Sequence, residues 1–333
     1  MKQTVKAAVL GWALAGAATM TAQTAAPAAP APTAAARAAA QGVKFPTPNP
    51  KNFTATTPTA ADTDAFLKQL WGYDENRVWS VQAIQSTPAP GMAKVSVLVG
   101  DTRQPGKEVE SVFYVTPDGK HALAGDIMDF GPKPFAEKRA RLQAEAKGAA
   151  HGAKGNELLL VEFADLQCPH CKEAQVAMNQ LETDFPQARI VFEHYPISEI
   201  HPYAAEAAAM GECIRKEKGD EAFFKYVNAV FEAQEALTDS NHEGALTTAI
   251  ARAEADPAKV RACSATPEIK ALVASQRKLG EDLGVNSTPT LFINGWALPV
   301  ASIPYETLKK MIAFRAGLDG VTVHLQPTLT SLQ

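Results

Sequence analysis

The hydrophobic positions of this chain change period several times. Behind an acidic start, Phe66, Leu67 and Leu70 recur at helical spacing in "DTDAFLKQLWGY" and predict a helix. Four strand-like segments follow: "RVWSVQAIQ", "AKVSVLVG", "EVESVFYVT" and "HALAGDIMDF". "STPAPG" and "TPDGKH" punctuate them, and Asp118 with Gly119 favours a tight hairpin. Val95, Val97 and Val99 fall on one face, so the sheet is half-buried. Residues 62–131 therefore read as a small α+β domain in which no nucleophile, base or metal-ligand cluster stands out. The segment 132–155 is charged, opened by Pro132 and Pro134 and closed by Gly148, Gly152 and Gly155. Its sparse apolar positions predict a solvent-exposed linker helix of about 14 residues.

A second domain is predicted over 156–318. The apolar run 158–161 with Phe163, in "NELLLVEFADL", is a buried strand by composition and length. "KEAQVAMNQLETDF" then shows helical spacing at Val176, Met178 and Leu181. From about 201 to 283 the pattern is helical and Ala-rich. "TLFINGWALPV" supplies two strands around a turn at Asn294 and Gly295. "SIPYETLKKMIAFRAGL" closes the domain as a helix with Ser302 near its cap. The tail, 319–333, carries no pattern.

The N-terminus changes the picture by fixing a compartment. "MKQTVK" has two lysines and no acid, the next 14 residues are apolar, and small residues follow. That is the pattern of a signal peptide over 1–26, cleaved within 17–26. An uncleaved anchor is the alternative, but a spanning helix needs roughly 20 apolar residues. The Ala/Pro-rich stretch 27–61 reads as a linker without a core of its own. An exported, periplasmic-type location follows, where disulfides persist. Loss of Lys2 and Lys6 moves the formal charge from −4 to −6. That mild acidity gives no support to nucleic-acid binding.

The chemistry centres on "FADLQCPHCKEAQ". Cys168 stands where a strand ends and a helix begins, so unpaired first-turn N–H groups and the helix dipole favour a thiolate. His170 can stabilise the same anion as a donor or a cation. Cys171, one helical turn on, is placed for an internal disulfide. A zinc site would want a second close cysteine pair, and the other two cysteines, Cys213 and Cys263, are far apart in sequence. A purely structural bond between Cys168 and Cys171 would close too small a loop to constrain the unfolded chain. A C-x-x-C at a strand-to-helix junction is a thioredoxin-like redox signal. His121, His194 and His201 read as surface or capping residues, and Lys172 and Glu173 as a solvated helix face.

"VEFADLQCPHC" resembles the active-site stretch of the DsbA-like thiol–disulfide oxidoreductases of the thioredoxin superfamily. "IVFEHYPISEIHPYAAEAAAM" and "LGEDLGVNSTPTLFINGWALP" extend the resemblance over about 156–317. It implies an α/β fold, thioredoxin-like, with a helical insertion at about 201–283. It also implies a cis proline at Pro289 which, with Thr288, holds substrate beside Cys168. Glu162 falls where the family has a buried acid that moves protons to and from the second cysteine; a solvent-facing strand-end glutamate is the alternative. For Cys213 and Cys263 a structural disulfide fits both an oxidising compartment and some relatives, with two buried free thiols as the alternative.

"VESVFYVTPDGKHALAGDIMDF" resembles the small dimerisation domain of the DsbC and DsbG isomerases. The expected activity is disulfide exchange with cysteine-containing protein substrates, without metal or cofactor. Disulfide formation is the favoured direction, recycled by a membrane redox partner. A dimeric isomerase or reductase is the alternative, and a non-catalytic assembly module a third reading. The chain is expected to be a homodimer.

Overall fold

The computed structural model describes residues 42–124 and 127–323; the expected signal peptide and residues 27–41 of the Ala/Pro stretch lie outside them. The first unit opens with α1 (Ala60–Trp71), whose start is held by a capping box: Thr59 Oγ1 accepts from the Asp62 N–H, and the Asp62 carboxylate accepts from the Thr59 N–H. An antiparallel meander follows: β1 (Arg77–Ser86), β2 (Ala93–Asp101), β3 (Val109–Val115), β4 (His121–Leu123) and β5 (Ile127–Asp129). α1 lays Phe66 and Leu67 on this sheet against Val95, Val97 and Phe113, and Trp79 Nε1 donates to Asp64 at 2.9 Å.

Three details differ from the sequence reading. "HALAGDIMDF" forms two short strands, with His121 opposite Asp129, because the chain reverses between them. The linker expected over 27–61 is not free throughout. Val43 is buried on Val78, and Phe53 bridges Ile84, so 43–53 packs along β1. The linker helix is also shorter than expected: α2 (Ala136–Glu145) has ten residues and is docked. Leu142 is buried, Arg139 donates to the Glu157 carbonyl at 2.8 Å, and Phe135 stacks on Trp296.

The second unit is built on a sheet of order β10-β9-β7-β8-β6. Its strands are β6 (Ala149–Gly152), β7 (Leu158–Ala164), β8 (Ala188–His194), β9 (Thr290–Ile293) and β10 (Trp296–Pro299), and β7 and β8 run parallel. β6 falls inside the expected linker. Gly148 beside it has no room for a side chain, since a Cβ there would lie 1.9 Å from the Phe192 carbonyl oxygen, and Ala149 is wholly buried. β7 is buried along its whole length at the centre of the sheet. α3 (Pro169–Asp184) packs Met178 and Leu181 on it, whereas Val176 points to solvent at 79% exposure. The expected core position at Val176 is taken by Ala174 and Gln175.

Five helices, α4 (Ala204–Lys218), α5 (Asp220–Glu232), α6 (His242–Arg252), α7 (Pro257–Ser264) and α8 (Pro267–Asp282), form the insertion between β8 and β9. Cys213 of α4 is disulfide-bonded to Cys263 of α7. His194 is fully buried rather than on the surface, because α4 and α8 cover the end of β8. The His194 N–H donates to Gln276, whose amide donates to Glu212, and Arg215 donates to the same carboxylate. α9 (Tyr305–Leu318) closes the unit; Ser302 lies in a short 3-10 turn, and Pro304, not Ser302, occupies the cap.

The turn between β9 and β10 is where the linker helix seats. Gly295 has φ +90°, and a Cβ on it would meet the Phe135 carbonyl at 2.4 Å and the Arg139 nitrogen at 2.7 Å. Gly295→Ala is therefore expected to destabilise the protein by about 1–3 kcal/mol, through left-handed backbone and displacement of α2. Gly317→Ala, in α9 with nothing within 4 Å, should instead raise stability by up to about 1 kcal/mol. Urea midpoints that move in the same direction for both variants would contradict this account of the seat.

Candidate redox site

The strand-to-helix junction places the first sulfur. β7 ends at Ala164, the chain turns through 165–167, and Cys168 takes the N-cap of α3 in extended backbone with Pro169 next. Proline suits that first position because its missing N–H would have no helical partner. The Cys168 carbonyl accepts the N–H groups of Cys171 and Lys172 at 3.1 and 3.2 Å. Gln234 reaches in from the insertion and donates to the carbonyls of Leu166 and Cys168, each at 3.0 Å. Both sulfurs are free thiols in this structure, Cys168 6% exposed and Cys171 wholly buried.

Their environments drive the two thiols apart. Cys168 is lowered to about 5, first by a hydrogen bond from the Cys171 thiol and, against burial, by Thr288 and the main-chain N–H groups of Cys171 and His170. The Thr288 hydroxyl is otherwise buried without a partner. The Thr288 carbonyl lies 3.6 Å from Cys168 Sγ and accepts from it while it is a thiol. Cys171 is pushed well above its ordinary range by burial, then by its bond to Cys168 and the nearby negative charge. Anion at the rim and protonated thiol inside is the arrangement of a nucleophile with a resolving partner.

The other sequence candidates fall as follows. The peptide bond before Pro289 is cis, and the Thr288 contact just given sets this segment beside Cys168. Glu162 is 3% exposed, its Oε1 has no partner, and burial alone raises it to about 8. It lies inside the sheet, not at the solvent-facing strand end. The His170 ring turns outward: its Nδ1 is 3.1 Å from Glu173, at 66% exposure, so what reaches Cys168 is the His170 main-chain N–H. Lys172 points toward Glu235, at 3.5 Å. Cys213 and Cys263 are bonded to each other in the insertion, and Cys213 belongs to the same buried cluster as the site cysteines.

Residues that sequence reasoning passed over are also here. Asp165 is wholly buried and accepts from His201 Nδ1 at 2.9 Å, although both were quoted only as part of longer motifs or as surface positions. An acid at the end of an apolar run, three residues before a cysteine, is the signal that was available. Among the described residues, no group of three or more His, Cys, Asp or Glu is arranged to hold a metal ion.

Two outcomes follow from these environments. Alkylation of the reduced protein should label Cys168 alone, with a rate that rises through about pH 5 and is flat by neutrality; equal labelling of Cys171 would contradict the asymmetry. Stability should also carry the mark of Glu162. Raised from 4.5 to about 8, it keeps its proton in the folded state where the unfolded chain has lost it, so stability falls as pH rises across that window. Reduced Cys168, lowered from 9.0 to about 5, acts in the opposite direction, adding stability as pH rises. Oxidation removes the Cys168 contribution. Glu162→Gln in the oxidised protein should therefore make the slope of Tm between about pH 5 and 8 less negative than in wild type, the contributions of Glu193 and Glu212, both raised by burial, and the opposing one of His194, lowered to about 3, being common to both proteins. An unchanged slope would mean that Glu162 is not protonated in the folded state.

Comparison with known proteins agrees with this geometry. The thioredoxin family model matches residues 145–313, and the disulfide bond isomerase protein N-terminal domain matches 55–133. Similar solved structures include the catalytic domain of Proteus mirabilis ScsC, at 20% identity and TM-score 0.47 over 55% of this chain and 99% of that one. Another is the thiol-disulfide exchange protein alpha-DsbA2 from Wolbachia pipientis, at 20% and 0.47 over 54% and 94%. A periplasmic thioredoxin-like protein from Salmonella enterica serovar Typhimurium gives 19% and 0.46 over 54% and 97%. Among curated proteins, a Na(+)/H(+) antiporter NhaA of Salinispora tropica is 29% identical over 144 residues and one of Salinispora arenicola 30% over 149. Each match takes in 43% of this chain, which spans about a fifth (21%) of those relatives' length. No helix of the described residues is long and apolar enough to cross a membrane. With the family model covering half of the chain over the very residues that build the cysteine site, the chain belongs to the thioredoxin family.

Proposed function

We propose that this chain is exported and forms disulfides in protein substrates through Cys168 and Cys171. The observation that carries the reading is the divergence of the two thiols, Cys168 lowered to about 5 and Cys171 raised by burial. A stabilised thiolate favours the reduced pair, and a disulfide whose reduced form is stabilised is a strong oxidant. In the forward step a substrate thiolate attacks Cys168 Sγ of the oxidised pair. The Cys168–Cys171 bond breaks, a mixed disulfide forms at Cys168, and Cys171 leaves as a thiolate that takes a proton, with Glu162 as the nearby buried donor. A second substrate thiolate then attacks the substrate sulfur, closing the new disulfide and releasing Cys168 as the stabilised anion. The segment at Thr288 and Pro289 holds the substrate chain in extended form beside Cys168. A membrane redox partner reoxidises the pair.

A second reading, disulfide isomerisation by a homodimer, is favoured by the match of 55–133 to an isomerase N-terminal domain. Val109, Val112 and Tyr114 of β3 leave apolar surface exposed on that unit, which a second copy would cover.

Oxidised protein is expected to reactivate a reduced, unfolded disulfide protein stoichiometrically, and Cys168→Ser should lose this entirely. Reduced protein acting catalytically on a scrambled substrate, together with a dimer in sedimentation at micromolar concentration, would establish the isomerase reading in its place. Absence of both activities would leave the assembly-module reading.

A further inference from the structure

Asp165 takes no part in the exchange steps above, yet it joins both cysteines to the loop that follows β8. Its carboxylate is wholly buried. Oδ1 accepts the Gln167 N–H at 2.7 Å; Oδ2 accepts the Ile197 N–H at 2.7 Å and His201 Nδ1 at 2.9 Å. A carboxylate can only accept, so Nδ1 of His201 carries the proton. The Asp165 main chain faces the other way: its carbonyl accepts the Cys168 N–H at 3.1 Å, and its N–H donates to Cys171 Sγ at 3.4 Å. The side chain is thus clamped from a loop about thirty residues on, and the clamp orients a main-chain donor aimed at the buried sulfur.

We infer that Asp165 is a positioning residue for the resolving step, held by His201, and that it acts through the N–H that faces Cys171. The inference rests on the exchange reading above. In resolution, Cys171 loses its proton and its sulfur attacks Cys168 Sγ of a mixed disulfide. The Cys168–Cys171 bond forms, the bond to the leaving thiol breaks, and that thiolate departs and is protonated; the numbers of thiols and disulfides are unchanged. The sulfur of Cys171 must be an anion for that moment in a site that burial makes hostile to charge. An N–H already aimed at it supplies a charge-assisted hydrogen bond without reorganisation. Asp165 cannot act by its own charge, since a second anion near the thiolate would oppose its formation; fixing the peptide is the role left to it.

The test uses the full chain and glutathione disulfide as probe. Cys171→Ser should trap glutathione on Cys168, whereas wild type should resolve it quickly. In Asp165→Asn, where one acceptor oxygen becomes a donor, glutathionylated Cys168 is expected to persist, with resolution slowed about tenfold, the worth of one such hydrogen bond. Alkylation of reduced Cys168 should stay within about twofold of wild type, because its own donors are untouched. His201→Phe should show the same persistence, and His201→Gln, which restores a donor, should relieve it. Wild-type resolution in Asp165→Asn overturns the inference. If that variant does not fold, equal resolution in His201→Phe and His201→Gln overturns it. If Cys171→Ser traps no glutathione at all, the exchange reading fails and this inference with it.

Discussion

A sulfur anion at the edge of a buried sheet must be stabilised by hydrogen-bond donors of the protein, because the space around it admits little water. Cys168 meets that requirement at the N-terminus of α3, where the Cys171 thiol donates to its sulfur and the main-chain N–H groups of Cys171 and His170 add to it. Much of the surrounding architecture serves to keep those donors aimed. The buried β7 fixes the start of the turn, and Gln234 binds the carbonyls on either side of it. Cys171, one turn deeper, is kept neutral by the same burial. The chemical difference between two identical side chains therefore comes from depth and peptide orientation.

Burial also explains why the helical insertion belongs to the site, although it holds neither cysteine of the pair. Without α4 and α8 the end of β8 would be open to water. His194, lowered to about 3 by burial, would regain an ordinary imidazole environment. The amide of Gln276 satisfies both the β8 backbone and Glu212, so the insertion is fastened by polar bonds that would cost free energy if half-made. The Cys213–Cys263 bond ties α4 to α7 within that cover.

Local chemistry was legible in the sequence, and contacts across the fold were not. The apolar run of β7, the C-x-x-C beyond it and the Asn294-Gly295 turn each announce themselves within a few residues, because strand period, helix capping and turn backbone are short-range constraints. β6 was missed because its small residues carry no strand period of their own and its pairing with β8, Ala149 opposite Phe192, lies over 40 residues away. His194 was misplaced for the same reason: whether a strand-end histidine is buried depends on helices that come later. Val176 kept helical spacing but landed on the solvent side, since apolar spacing alone does not say which of two adjacent stripes faces the sheet. His170 is the most instructive case. Its position was legible, but not that its ring would pair with Glu173 while its peptide N–H serves Cys168.

The placement of the small N-terminal unit has a mechanical consequence. α2 seats on the β9–β10 turn at Gly295, and β9 runs antiparallel to β7, with Leu160 opposite Ile293 and Phe163 opposite Thr290. The seat is therefore at the end of the sheet away from the cysteines, about 13 Å along the strands at roughly 3.3 Å per residue. The N-terminal unit can be anchored firmly without covering Cys168. Yet both ends belong to one strand: β9 begins directly after Pro289, in the segment beside Cys168, and ends at the seat. A close-packed strand transmits displacement along its length far better than across a loop. Whatever holds the N-terminal unit in place thus also holds the segment beside Cys168, so a load on the small domain is expected to reach the surroundings of Cys168 through β9 without touching a sulfur.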